Sequence, residues 1–201
     1  MRFKILPFFS ACIFSSVFAF GQSADSSKIT NSTFNNYEEL KKKQKESGVD
    51  TLIYCDLTFN YKVNIPDWLN LKETKSVNLF GGTLPAVDGI ENAILITGFD
   101  KSRFKSFDEF KKIYLTGTMG QPAKFNKDIG WLGANEPISI TNGIKQKVFL
   151  FWENHLYHSQ FVLIETKSAY VWIQFTSTQD TYNKNISKFD EFMNGFKVTD
   201  F

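Results

Sequence analysis

The chain has two histidines, and both fall in one short stretch, Glu153-Asn154-His155-Leu156-Tyr157-His158, with Glu165 a little further on. Imidazole and carboxylate are the ligand types of zinc and other borderline cations. Their spacing argues against a metal: residues three apart on a strand point to opposite faces, so the rings converge only if a tight turn separates them. The expectation is a pair of hairpin-surface histidines and no metal ligands. Hydrolytic chemistry is served no better. The sequence contains no Gly-x-Ser-x-Gly elbow, and no Ser-His-Asp set can be nominated from spacing. Cys55 lies among Leu52, Ile53, Tyr54 and Leu57 and reads as a small buried hydrophobe rather than a nucleophile. The acidic pairs Asp108-Glu109 and Asp190-Glu191 are adjacent on helical segments, so they diverge and face solvent. Gly81-Gly82 lacks the further glycine and the Lys-Ser/Thr of a phosphate loop, and reads as a bulge or bend. No catalytic, cofactor-binding or metal-ligating residue is nominated, and no cofactor is expected.

Aromatic side chains are the remaining candidates. Trp152 and Trp172 sit inside apolar runs and are expected in the core. Trp131 differs, because Gly130, Gly133, Asn135 and Pro137 around it are loop formers. It is the one residue nominated as a partner contact, since aromatics held on loops are common interface anchors.

The elements that must carry these residues follow from periodicity. Tyr37 to Glu46 has strong helix formers with acids early and lysines late, in keeping with the helix dipole, and Ser47-Gly48 ends it. Phe59, Tyr61, Val63 and Ile65 alternate with Asn60, Lys62 and Asn64 in a half-buried strand closed by Pro66; Asp67-Trp68-Leu69 is the exit turn. Ser76 to Leu84 and Asn92 to Thr97 read as strands joined through Pro85, Asp88 and Gly89. Ser106 and Glu109 form a capping-box signature ahead of the stripe Phe107, Phe110, Ile113 and Tyr114. Thr116 to Asn142 is rich in Gly, Pro and Asn and reads as a long loop or short irregular elements; a loop of that length is often functional. Three apolar runs follow, Val148 to Trp152, Gln160 to Ile164 and Tyr170 to Phe175. In the last, Tyr170, Trp172 and Gln174 alternate with Val171, Ile173 and Phe175, so both faces need cover, and the turn signals at Glu153-Asn154 and Lys167-Ser168 make the pairing antiparallel. A helix from about Asn183 to Asn194 presents Ile186, Phe189, Phe192 and Met193, with Gly195 after it. Phe196-Lys197-Val198 alternates as a short closing strand.

The beginning of the chain has the layout of a secretory signal: Arg2 and Lys4, an apolar stretch from Ile5 to Phe20, then small residues. That stretch is short of the roughly 20 residues of a bilayer span and is broken by Pro7 and serines, so a retained anchor is the lesser reading. A lipidated Cys12 fits poorly, since it would leave Ile5 to Phe9 as the apolar core and strand Ile13 to Phe20 behind it. Cleavage is expected after Gly21. Of 23 basic and 21 acidic residues in the 201-residue chain, Arg2 and Lys4 would be lost, leaving 21 of each sign. A balanced charge, with no basic block beyond Lys41-Lys42-Lys43, excludes an electrostatic footprint for nucleic acid or an anionic membrane. Cys12 goes too, so Cys55 has no internal disulfide partner. Gln22 to Asn36 is polar and reads as a flexible leader; the sequon Asn31-Ser32-Thr33 carries no weight. Residues 37–201 form one domain, long enough to bury about 70% of its unfolded surface. The 22 Phe, 7 Tyr and 4 Trp spread through periodic segments, as in a core filled with rings.

Two segments carry a resemblance. Phe59 to Leu69 (FNYKVNIPDWL) resembles the strand-Pro-x-Trp opening of the PsbP-like superfamily, and Ala169 to Val198 (AYVWIQFTSTQDTYNKNISKFDEFMNGFKV) resembles its ending, strand, polar turn, Tyr, amphipathic helix, then Phe-Lys-Val. The likeness spans roughly Thr51 to the end. It implies an α+β fold, a central antiparallel sheet with helices packed on both faces, as in the photosystem II extrinsic subunit, DcrB and the Ran-binding nuclear-import factor. Those proteins mostly bind partners and share no catalytic motif, so the resemblance implies binding and nothing sharper.

The resulting expectation is an exported, periplasmic or secreted, non-catalytic binding or accessory module acting on a protein partner. The alternative is a small apolar-ligand or lipid carrier with a pocket between sheet and helix, and an enzyme with an unrecognised site comes third. Processing is the first testable consequence: intact mass of the purified protein should correspond to a chain beginning at Gln22 without lipid. A lipidated terminus at Cys12, or a full-length chain in the membrane fraction, would overturn the reading of the leader.

Overall fold

A computed structural model describes residues 52–72, 79–116, 129–131, 136–140, 142–152 and 155–199. The signal, the polar leader and the helix expected at Tyr37 to Glu46 lie outside the described residues. In chain order the elements are β1 (Leu52–Asp56), β2 (Tyr61–Ile65), β3 (Asn70–Leu71), β4 (Leu79–Thr83), β5 (Ala93–Asp100), α1 (Phe107–Lys111) continued by a π-helical turn (Lys112–Thr116), β6 (Ile129–Trp131), β7 (Glu136–Pro137), β8 (Gly143–Trp152), β9 (His155–Glu165), β10 (Ala169–Thr178), α2 (Gln179–Asn194) and β11 (Phe196–Val198). They make two antiparallel sheets. The larger runs β3-β4-β5-β10-β9-β8-β6, with β7 also pairing β8, and the smaller runs β1-β2-β11.

The two-faced apolar pattern of β10 organises the molecule. Every residue from Ala169 to Ser177 is buried, and alternate side chains enter different cores. Val171, Ile173 and Phe175 join Ile94 and Ile96 of β5 and Val162 and Ile164 of β9 under α2 (Tyr182, Phe189, Phe192) and the small sheet (Tyr61, Val63, Ile65, Phe196). Tyr170 and Trp172 point the other way, with Phe99, Phe161, Leu163 and Val148, under Phe110 of α1 and Leu115 of the π turn. Both cores are built from rings at contact distance. On the α2 side Phe175 stacks on Phe189 at 5.3 Å and Tyr61 on Phe196 at 5.2 Å. On the α1 side Tyr114 lies 4.8 Å and Phe161 5.1 Å from Trp172. Each such pair adds about 0.5–1.5 kcal/mol beyond its buried area.

The architecture is α+β, and one expected feature is not established. Instead of a helical layer on each face, the described residues place α2 and a second sheet on one face and the five-residue α1 with its π turn on the other. One local reading also changes. Gly81-Gly82 is neither bulge nor bend, because β4 pairs β5 without a skipped residue from Leu79↔Thr97 to Thr83↔Ala93. Glycine is needed there for closeness: a Cβ on Gly81 would lie 2.6 Å from the Ile94 carbonyl oxygen, and one on Gly82 2.8 Å from that of Asn70. The stretch read as a long loop or short irregular elements around Trp131 holds, among the described residues, two short strands, β6 and β7, paired with β8 at Trp131↔Val148 and Pro137↔Ile144.

The capping signature at α1 is present, with Ser106 Oγ accepting from the Glu109 N–H at 3.2 Å. α2 begins earlier than its apolar stripe suggested, at Gln179.

Gly98 of β5 lies directly under Phe59, in the turn between β1 and β2. A Cβ there would meet ring atoms of Phe59 at 2.2–2.5 Å. Gly98→Ala should therefore cost about 1–3 kcal/mol through overpacking, read as a lower denaturant midpoint, and adding Phe59→Leu should recover part of the loss. An unchanged midpoint in Gly98→Ala would show that Phe59 swings aside freely.

Candidate functional site

Strand β8 lies between β6, which carries Trp131, and β9, which carries both histidines. Trp131 is the last residue of β6, paired with Val148 at the rim of the large sheet. His155 faces Trp152 across the β8–β9 hairpin, and His158 pairs with Phe149 on one side and Ser177 on the other. The two histidines thus occupy positions of opposite parity on one continuous strand, with no turn between them. Among the described residues no group of three or more His, Cys, Asp or Glu side chains is placed to hold a metal ion.

His158 is not a hairpin-surface residue. Its position falls on the α2 face of the sheet, where its ring is half-buried and edge-on to Tyr182 at 5.9 Å. Tyr182, in the first turn of α2, donates its hydroxyl to Gln160 Oε1 at 3.0 Å, and the Lys147 ammonium sits 4.3 Å from the ring centroid. Burial, then the Lys147 charge, lowers the His158 pKa from 6.5. Burial, then the charges of Asp190 and Glu136, raises that of Tyr182 to about 12. The phenol keeps its proton and the imidazole its neutral form near neutral pH, so the cluster binds α2 to β8 and β9 and offers no base–nucleophile pair. The sequence showed Tyr182 as part of a polar turn, and a helix starting at Gln179 is what brings it over the sheet.

Cys55, expected as a small buried hydrophobe, is instead exposed. The reason is its neighbour Asp56, which is buried and fixes the parity of β1. One carboxylate oxygen of Asp56 accepts from the N–H groups of Thr58 and Phe59 at 3.0 and 2.9 Å, and the other from the Tyr54 hydroxyl at 2.9 Å. With Tyr54 and Asp56 turned inward, Ile53, Cys55 and Leu57 face out, Ile53 at 50% and Leu57 at 67% of full exposure. Burial raises the pKa of Tyr54 well above the usual phenol value, with the nearby Tyr61 and Asp56 adding to it, so the buried phenol stays neutral. Leu156, beside His155, is a further exposed large apolar side chain.

No protein-family profile matches the sequence, and no match among curated proteins is found. Solved structures are similar in fold. The Pseudomonas aeruginosa protein PA94, of unknown function, aligns with TM-score 0.50 and 16% identity over 71% of this chain and 93% of its own. Cyanobacterial PsbP from Synechocystis aligns with TM-score 0.48 and 10% identity, covering 74% and 92%. LpqN, involved in cell envelope biogenesis of Mycobacterium tuberculosis, aligns with TM-score 0.41 and 10% identity, covering 75% and 84%. PA94 has the PsbP-like fold, and this chain shares it. At such identities the likeness is one of fold alone.

The lowered His158 pKa makes a signed prediction. A folded-state value below the unfolded 6.5 means that the unfolded chain binds the proton more readily. The contribution to stability is then complete above about pH 6.5 and is lost as pH falls through the folded value. The His158 ring resonances should titrate with an inflection below 6.5, and His158→Gln should flatten the acid side of the thermal midpoint against pH. An inflection at or above 6.5 would mean that the ring is solvated and away from Lys147.

Proposed function

We propose that this protein is an exported, non-catalytic binding or accessory module that acts on a protein partner in the cell envelope. The observation that carries this reading is the filling of both faces of the large sheet. The space between sheet and α2, where a carrier of small apolar ligands would hold its cargo, is occupied by Tyr182, Phe189 and Phe192 packed on Ile173 and Phe175. The opposite face is closed over Trp172 and Tyr170 by Phe107, Phe110 and Tyr114. A module so filled meets its partner at the surface. The rim strand β6, with Trp131 at its end, is the contact we favour. Among the described residues β6 ends the large sheet, and a short edge strand can offer backbone donors and acceptors to a partner segment, with Trp131 proposed as its anchor.

Export is supported by the tripartite leader, and among the described residues no helix is long and apolar enough to cross a membrane. The test is affinity capture from the envelope of the producing cell, with the protein beginning at Gln22 as bait and Trp131→Ala beside it. Trp131→Ala should weaken recovery of the same partner while costing no more than about 1 kcal/mol of stability. Trp172→Ala, which empties a site only 2% exposed, should cost about 3–5 kcal/mol. Equal stability losses would make Trp131 a packing residue and remove the proposed contact.

A further inference from the structure

Beneath the first half of α2 lies a polar cluster with more hydrogen-bonding capacity than the protein satisfies. Asn92, Thr181 and Asn185 are all fully buried. Asn92 precedes β5, and its backbone carbonyl accepts from the Leu84 N–H at 2.8 Å, closing the β4–β5 connection. Its side-chain Oδ1 accepts from Thr181 Oγ1 at 2.8 Å, and Thr181 Oγ1 in turn accepts from the Thr178 N–H at 3.2 Å. Asn185 stands one helical turn beyond Thr181, on the same side of α2, within about 5–6 Å at Cβ. Among the described residues, three atoms of this group have no partner: Nδ2 of Asn92 and both Nδ2 and Oδ1 of Asn185.

Such an arrangement does not persist by chance in a marginally stable fold. An asparagine inside a helix is a weak helix former, and a buried amide with neither donor nor acceptor paired loses its hydration for nothing. A dry site would favour leucine or alanine at 185. We infer that Asn92 and Asn185 enclose a binding site for one structural water molecule, which links α2 to the β4–β5 connection. Water fits the donor set: its lone pairs accept one N–H from each asparagine, and its own hydrogen goes to Asn185 Oδ1. An ion does not fit, because Asn92, Thr181 and Asn185 are uncharged and supply no countercharge in a buried place. The same connection is tied to α2 from outside by the Lys184–Asp88 ion pair, so the water would form the inner of two fastenings one residue apart on the helix.

The experiment is water-to-amide magnetisation transfer by NMR on the protein, with oxygen-17 relaxation dispersion of the solvent as a count of long-lived internal water. Cross-relaxation from a long-lived water to the side-chain amides of both Asn92 and Asn185 is expected, and Asn185→Leu should abolish the signal at Asn92 and lower the oxygen-17 dispersion amplitude. Because that variant strands the Asn92 amide, its thermal midpoint should fall by several degrees. The wild-type spectra decide the matter even if Asn185→Leu does not fold. Absence of transfer to either amide, a direct bond between the two amides at high crystallographic resolution, or a raised midpoint in Asn185→Leu would each overturn the inference.

Discussion

The structure depends on a single constraint, the burial of β10 on both faces. A strand whose every side chain from Ala169 to Ser177 is withdrawn from water has to sit in the interior of a sheet and has to be covered above and below. The flanking strands β5 and β9 follow from the first requirement, since each pairs with it over most of its length. The cover follows from the second. On one side it is α2 and the small sheet, on the other α1 and its π turn, and aromatic residues supply much of both layers. A large ring spans the roughly 10 Å between layers with few side chains, which suits a domain whose cover on one face, among the described residues, is one short helix and its π turn.

The two segments that carried the family resemblance turn out to be physical neighbours. β11 pairs with β2 at Phe196↔Val63, and Trp68, in the turn after Pro66, donates its indole N–H to Glu191 of α2 at 3.1 Å and 3.2 Å. The two segments are therefore one structural unit, a strand, a tryptophan and a helix closed by β11.

What was legible in the sequence was what repeats with a period. Alternation gave β2 and the two-sidedness of β10, the Ser106-Glu109 pair gave the start of α1, and the stripe from Ile186 to Met193 gave most of α2. What was not legible rests on single contacts between distant residues. Cys55 has apolar neighbours in sequence and still faces water, because Asp56 beside it is drawn inward to shape the β1–β2 turn. Gly81 and Gly82 look like a bend and are straight, because strands on either side approach too closely for a Cβ. The first turn of α2 reads as polar coil because Thr181 and Tyr182 point their polar atoms at Asn92 and Gln160, partners that lie across the sheet. At the site, the sequence isolated Trp131 by composition alone and could not place it on the rim strand. It separated the two histidines correctly by parity and missed that Tyr182 waits above one of them.

The pairing of β2 with β11 also bears on the order in which the molecule can assemble. Tyr61 to Ile65 is made early, and its partner Phe196 to Val198 is near the other end of the described chain. Until that partner arrives, β2 has only the five residues of β1 beside it, and an isolated two-stranded ribbon is marginal in water. Closure of the small sheet must therefore wait on a contact between remote parts of the chain, which is entropically slow to form. Until then β1 and β2 form only a loosely held ribbon, and β11 is the latch that closes the small sheet.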